Sequence, residues 1–108
     1  MAFEWDERKA RRNAVKHGVT FEAAMTAFDD PDAWLAPDTA HSTAKELREW
    51  LIGNSDEGLV VVAFTRRAAG SVVRIISARR AGRRDRRKYE ALKRLSVAPG
   101  PEDDPGRD

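Results

Sequence analysis

The sequence predicts an α+β fold, a small antiparallel sheet with helices packed on it, in the order β-α-α-β-β-β-β-α. Three observations carry that prediction. Two helical patterns occupy the first 30 residues. Three runs rich in Val, Ile, Leu and Trp then follow one another, joined by short Gly-containing connections, and a helical pattern returns after residue 80. The 108 residues, 41% of them hydrophobic, suit one domain with one modest core, expected over residues 1–95.

Residues 1–5 read as a short entering strand, and residues 6–17 as the first helix. Glu4, Asp6 and Glu7 crowd its start, while Lys16 and His17 close its last turn, as the helix dipole favours. Gly18 stands where a left-handed C-terminal residue belongs. The apolar stripe of this helix is thin, so its arginines are expected at the surface. Thr20 is an N-cap for the second helix, where Phe21, Ala24, Met25 and Phe28 recur at core spacing. Val19 is placed to staple against Ala24, and Asp29-Asp30-Pro31 ends the helix.

An extended segment over residues 33–37 carries Trp34, and a polar loop over residues 38–45 carries His41. Residues 48–54, 59–67 and 72–79 read as an antiparallel meander. Because residues 59–64 are apolar at every position, that strand is expected to be central and covered on both faces, with the helices lying as a pair on one side of the sheet. Residues 81–95 form a basic amphipathic helix around Tyr89, Leu92 and Leu95. Residues 96–108 hold three prolines, two glycines and four acids, the composition of a disordered acidic tail.

Charge is distributed unevenly. Residues 1–65 carry 7 basic and 12 acidic side chains, whereas residues 66–94 carry 12 basic against 2 acidic, a net of +10. Such a stretch attracts polyanions, because each phosphate met by Lys or Arg releases condensed counterions, and nucleic acid is the expected partner. The absence of cysteine excludes disulfide scaffolds, thiolate zinc sites and cysteine nucleophiles. The longest apolar run is six residues against the ~20 of a spanning helix, so a cytoplasmic chain without a membrane partner is expected. Two histidines 24 positions apart match no metal-ligand spacing, and no cofactor or metal is expected.

Arg74 interrupts Val72-Val73 and Ile75-Ile76 in a strand otherwise fit for burial. A guanidinium there needs a carboxylate or a bound phosphate, and two readings stay open, an ion pair with Glu46 or Glu49 and an anion site. Simple alternation puts Arg74 on one face with Ile76 and Ala78, and Ser77 with Arg79 on the other, unless a bulge intervenes. Arg66 and Arg67 lie across the hairpin from Arg74. His17 reads as a helix-end residue, which leaves His41 as the candidate for titration near neutral pH.

Phe3-Glu4-Trp5-Asp6, Asn13, Lys16-His17-Gly18-Val19, Phe21-Glu22 and Phe28-Asp29-Asp30-Pro31 form an ordered set of blocks. His41-Ser42, Glu46 with Arg48, Ile52-Gly53, Thr65, and the two long blocks over residues 74–81 and 84–90 continue it. In these the chain resembles the BrnT toxins of bacterial type II toxin–antitoxin systems. The resemblance implies a RelE-like fold and an endoribonuclease that inhibits translation. It also implies a BrnA-type ribbon-helix-helix antitoxin, through which alone the complex would meet operator DNA. Arg66 departs from the family pattern, which has an acidic residue after Thr65.

Metal-free RNA cleavage needs a 2′-hydroxyl deprotonated, in-line attack on the adjacent phosphate, cations around the phosphorane and a proton for the leaving 5′-oxygen. On the resemblance, Arg74 and Arg79 are assigned to the phosphate, His41 and Glu46 to acid and base, and Arg67 and Arg80 to substrate positioning. Arg83, Arg84, Arg87 and Lys88 on the basic helix are assigned to the RNA backbone or to the antitoxin. A non-catalytic nucleic-acid-binding module and an antitoxin-binding module remain the alternatives.

Overall fold

The computed structural model describes residues 1–96; the expected acidic tail lies, beyond Ser96, outside the described residues. The elements are β1 (Ala2–Glu4), α1 (Glu7–His17), α2 (Phe21–Ala27), β2 (Trp34–Pro37), β3 (Arg48–Ser55), β4 (Gly58–Arg67), β5 (Val72–Arg80) and α3 (Arg83–Ser96). Their order is the predicted one. The five strands make one sheet in the order β1-β5-β4-β3-β2. β2, β3, β4 and β5 pair antiparallel, but β1 joins β5 in parallel, so the sheet is mixed. Parallel pairing needs a long crossover, and nearly the whole domain lies between these two strands.

α1 begins at Asp6, whose Oδ1 accepts from the backbone N–H of Arg8 (2.9 Å) and Lys9 (3.1 Å). It ends at Gly18, which takes φ +69°, a conformation a Cβ would strain. Thr20 caps α2 as expected, its Oγ1 accepting from Ala23 N at 3.0 Å. α2 lies close on the sheet at Gly53, where an added Cβ would sit 2.8 Å from the Ala27 carbonyl oxygen.

The central strand is β4, buried from Leu59 through Thr65. Alternation turns Val60, Val62 and Phe64 toward α1 and α2, where Val19, Phe21, Ala24, Ala27, Val73, Ile75 and Ala78 complete the main core. Val19 and Ala24 are both fully buried there, as the staple requires. Phe28 bridges Phe3 and Phe64 in edge-to-face contacts, with ring centroids 5.1 and 5.0 Å apart. Leu59 and Val61 turn the other way and pack with Ile52 and Tyr89 beneath α3. The strand is covered on both faces as expected, but the helices lie on the two sides of the sheet, correcting the expectation of a helix pair on one side. A strand apolar at every position has two faces to bury, and only α3 is left for the second.

One irregularity sets the functional face. The β4–β5 register pairs Ala63 with Ser77 and Phe64 with Ile75, so Ile76 is an extra, unpaired residue. This bulge reverses the alternation beyond Ile75, turning Ala78 into the main core and Ser77 and Arg79 onto the face that carries Arg74.

Candidate functional site

Register aligns Glu4, Arg74, Thr65 and Arg48 in one row across β1, β5, β4 and β3, on the α3 side of the sheet. Arg67, two residues beyond Thr65, shares that face. Their charges interlock. Glu4 Oε2 accepts from Arg74 Nη1 at 3.0 Å and lies 3.4 Å from Arg67 Nε. Glu46 Oε1 accepts from Arg48 Nε at 3.0 Å, and its Oε2 lies 3.9 Å from Arg67 Nη2. The result is an alternating chain, Arg48, Glu46, Arg67, Glu4, Arg74, with three positive charges against two negative. These side chains are between a third and a half exposed, so solvent and a ligand reach them. Arg74 is thus an ion-pair residue, but its partner is Glu4 from the parallel strand instead of Glu46 or Glu49. Thr65 is buried, and its Oγ1 donates to the Leu47 carbonyl at 2.8 Å, tying the row to the approach of β3.

His41 lies on the loop entering β3. Its Nδ1 lies 2.9 Å from Asp38 Oδ2. The imidazole is 63% exposed while Asp38 is only 6% exposed, so one ring nitrogen is fixed and Nε2 is left for a ligand. The loop itself is fastened to β3: Asp38 N donates to the Arg48 carbonyl at 2.8 Å, and Arg48 N donates to Ser42 Oγ at 2.8 Å.

Arg79 occupies a second row, with Val61, Ile52 and Trp34, four residues along β4 from the first. At the usual rise this is about 13 Å. Arg79 Nη1 donates to Asp85 Oδ2 at 2.8 Å, and Gly82 N donates to the same oxygen at 2.8 Å. Burial opposes the charge of Asp85, but those hydrogen bonds outweigh it and hold its carboxyl below the ordinary range. Arg79 and Asp85 form one wall of a cleft of about 230 Å³ whose other walls are Trp34, Trp50, Ile52, Val61 and Lys88. Lys88 Nζ sits 5.1 Å from the centroid of the Trp34 ring.

The remaining basic side chains divide by face. Arg80 turns toward α1, where its Nη atoms donate to the Glu57 and Gly18 carbonyls at 3.1 and 3.2 Å, so the fold does not bring it to the row of Arg74. Arg66 also faces away. It pairs with Glu49 at 2.6 Å, which raises its pKa, and lies over the Phe64 ring. Position 66 is therefore outside the network of Arg74 and Arg67. Arg83, Arg84 and Arg87 are exposed on α3. Sequence reasoning missed Glu4, Arg48, Asp38, Asp85 and the two tryptophans as members of the site. Arg48, Trp50 and Ile52 alternate along β3, which was signal enough to put the arginine and the tryptophan on one face.

Arginines braced by carboxylates on an open sheet, beside an oriented imidazole and an aromatic cleft, make a surface of the kind that can grip a phosphodiester chain. The chain belongs to the BrnT family: the family model for the ribonuclease toxin, BrnT, of type II toxin–antitoxin systems matches residues 5–85. Among curated proteins, none matches it. Family membership brings an antitoxin as partner and RNA as substrate. No described helix is long and apolar enough to cross a membrane.

Proposed function

We propose that this protein is a metal-independent endoribonuclease of the cytoplasm that inhibits translation and is neutralised by a BrnA-type antitoxin, through which the complex meets operator DNA. The observation that carries the reading is the row Glu4, Arg74, Thr65, Arg48 with Arg67 and Glu46 alongside, a set of guanidiniums whose orientation is fixed before a substrate arrives. Preorganised cations cost no reorganisation when charge develops on a phosphorane.

In this mechanism Arg74 and Arg67 take the scissile phosphate. Glu46 accepts the proton of the 2′-hydroxyl, whose oxygen attacks the adjacent phosphorus, and the bond to the 5′-oxygen breaks. His41, in its protonated form and oriented by Asp38, supplies the proton to that leaving oxygen. The products are a 2′,3′-cyclic phosphate and a 5′-hydroxyl. Arg79, about 13 Å along the sheet by strand rise, holds another phosphate of the same strand. Arg83, Arg84 and Arg87 on α3 extend the basic track or receive the antitoxin.

The test is induction of the chain alone in a bacterial host, beside Arg74→Ala and Arg79→Ala. Growth arrest with fragmented RNA that Arg74→Ala abolishes is the expected result. Arrest and fragmentation unchanged in that variant would reject the assignment. A second reading, a nucleic-acid-binding or antitoxin-binding module without catalysis, is favoured by one observation: Arg48, Arg67 and Arg74 are already paired with Glu46 and Glu4. It predicts salt-sensitive RNA binding, or antitoxin binding alone, with no cleavage products.

A further inference from the structure

The cleft beneath α3 has a composition the cleavage mechanism does not use. Trp34 and Trp50 are diagonal neighbours on β2 and β3, since Trp34 pairs with Ile52 and Ala36 with Trp50. Both are only partly buried, although the sheet under them is filled by Ile52 and Val61 at 1% and 3% exposure. Large aromatic rings left half open on a sheet that has a covering helix within reach leave a slot between sheet and helix. At about 230 Å³ the slot has room for a single flat ring system. Its rim is cationic, with Lys88 over the Trp34 ring and Arg79 fixed by Asp85.

We infer that this cleft is a nucleobase subsite: one unpaired base of the RNA stacks on Trp34 and Trp50, while Arg79 and Lys88 take the phosphates flanking it. The inference rests on RNA being the substrate and assigns where the strand is held beyond the scissile bond. A base has an apolar face and an anionic backbone on the same unit, and only that combination uses both the indoles and the cationic rim. A protein segment docking there would meet a basic rim with no slot for its backbone. Arg79 is held through Nη1, which donates to Asp85 Oδ2 and to the Arg80 carbonyl. Asp85 is then a positioning residue, acting through Arg79.

The experiment uses a short single-stranded 2′-O-methyl RNA, which lacks the free 2′-hydroxyl and cannot be cut, titrated into the whole protein at fixed salt. Binding is read by anisotropy of the labelled strand and by quenching of tryptophan fluorescence. The expected result is quenching by the intact strand, with affinity falling about tenfold in Trp34→Leu and largely retained in Trp34→Phe. A strand of the same length with abasic positions should bind the wild type as weakly as the intact strand binds Trp34→Leu. Lys88→Ala, a change at a solvent-exposed side chain on the rim of the cleft, should weaken binding several-fold without disturbing the fold. Equal affinity of wild type and Trp34→Leu, or of intact and abasic strands, would overturn the subsite. So would a loss in Trp34→Leu confined to antitoxin binding, which would make the cleft a protein-docking site. A wild type that cuts RNA but shows no quenching rejects the subsite alone. A wild type that shows the quenching but never cuts RNA leaves the subsite standing and rejects the ribonuclease reading.

Discussion

Asn13 uses both ends of its amide on the backbone of distant segments. Its Nδ2 donates to the carbonyls of Val19 and Ala78 at 2.9 and 2.8 Å, and its Oδ1 accepts from Ala78 N at 3.1 Å. β1 pairs with β5 only from Val72 to Arg74, so Ala78 lies on a stretch of β5 that no neighbouring strand covers on that side. The side chain stands in for that strand and holds the segment just after the bulge. Asn13→Ala should therefore destabilise the fold by about 2–3 kcal/mol, the cost of orphaning buried backbone groups, measured by urea denaturation. An effect below about 0.5 kcal/mol would contradict the role given to Asn13. Arg66, by contrast, should be expendable for chemistry. It lies on the other face of β4 from Arg74, paired with Glu49. Arg66→Gln is expected to leave the rate of RNA cleavage unchanged within about twofold, a span of about 0.4 kcal/mol, and a loss as large as that of Arg74→Ala would show that the sheet faces do not divide function as described.

Among the elements, α3 has an attachment to the sheet that depends on pH. Tyr89 is buried, and its hydroxyl donates to Asp30 Oδ2 at 2.7 Å. Burial works against the charge of Asp30, but N–H groups of Asn54 and Asp32 and the Tyr89 hydroxyl outweigh it and lower its pKa. Asp85, at the first turn of α3, is lowered in the same way. A depressed carboxyl contributes stability that is fully present above its unfolded pKa, about 3.9, and is lost as pH falls through its folded value. Acid should thus loosen α3 below about pH 4, seen as a change in tryptophan emission, since Trp34 and Trp50 lie beneath it. Emission unchanged down to about pH 2 would contradict this. Gly53→Ala should destabilise the α2 contact by about 1–3 kcal/mol, because the added methyl meets the Ala27 carbonyl; thermal denaturation measures it.

Which of these features the sequence discloses follows from what each depends on. Caps and periodicity are local, so Thr20, Gly18 and the stripe of Phe21, Ala24 and Phe28 were readable, as was the central place of a strand apolar throughout. The bulge was not, because a run apolar at every position carries no alternation to fix its partner's register. That single residue decides whether Arg74 and Arg79 share a face. The partner of Arg74 was also hidden, since Glu4 is 70 residues away in sequence and joins by a parallel pairing. The Asp38 and His41 dyad needed the loop geometry, although both residues lie in the polar segment the sequence singled out.

At the scale of the whole molecule, the sheet separates two uses of arginine. On the side of α1 and α2, Arg66 and Arg80 are held by a carboxylate and by backbone carbonyls. On the α3 side, Arg74, Arg67 and Arg79 are paired with carboxylates and, like Arg66, stay partly open to solvent; what the sheet separates is which of them share a face with Thr65 and the tryptophans. With two phosphates held by those side chains, the affinity for single-stranded RNA should fall with salt at a log–log slope of about −1.4. The central claim is that the face bearing Arg74 cleaves RNA. It is tested most directly by incubating the purified protein with single-stranded RNA in the presence of a chelator, beside Arg74→Ala, and identifying the new ends. Cleavage to 2′,3′-cyclic phosphate and 5′-hydroxyl ends, slowed about a hundredfold or more in Arg74→Ala, is the result expected of a preorganised cation at the reacting phosphate. Intact RNA with the folded wild-type protein, or equal cleavage by the variant, would contradict it.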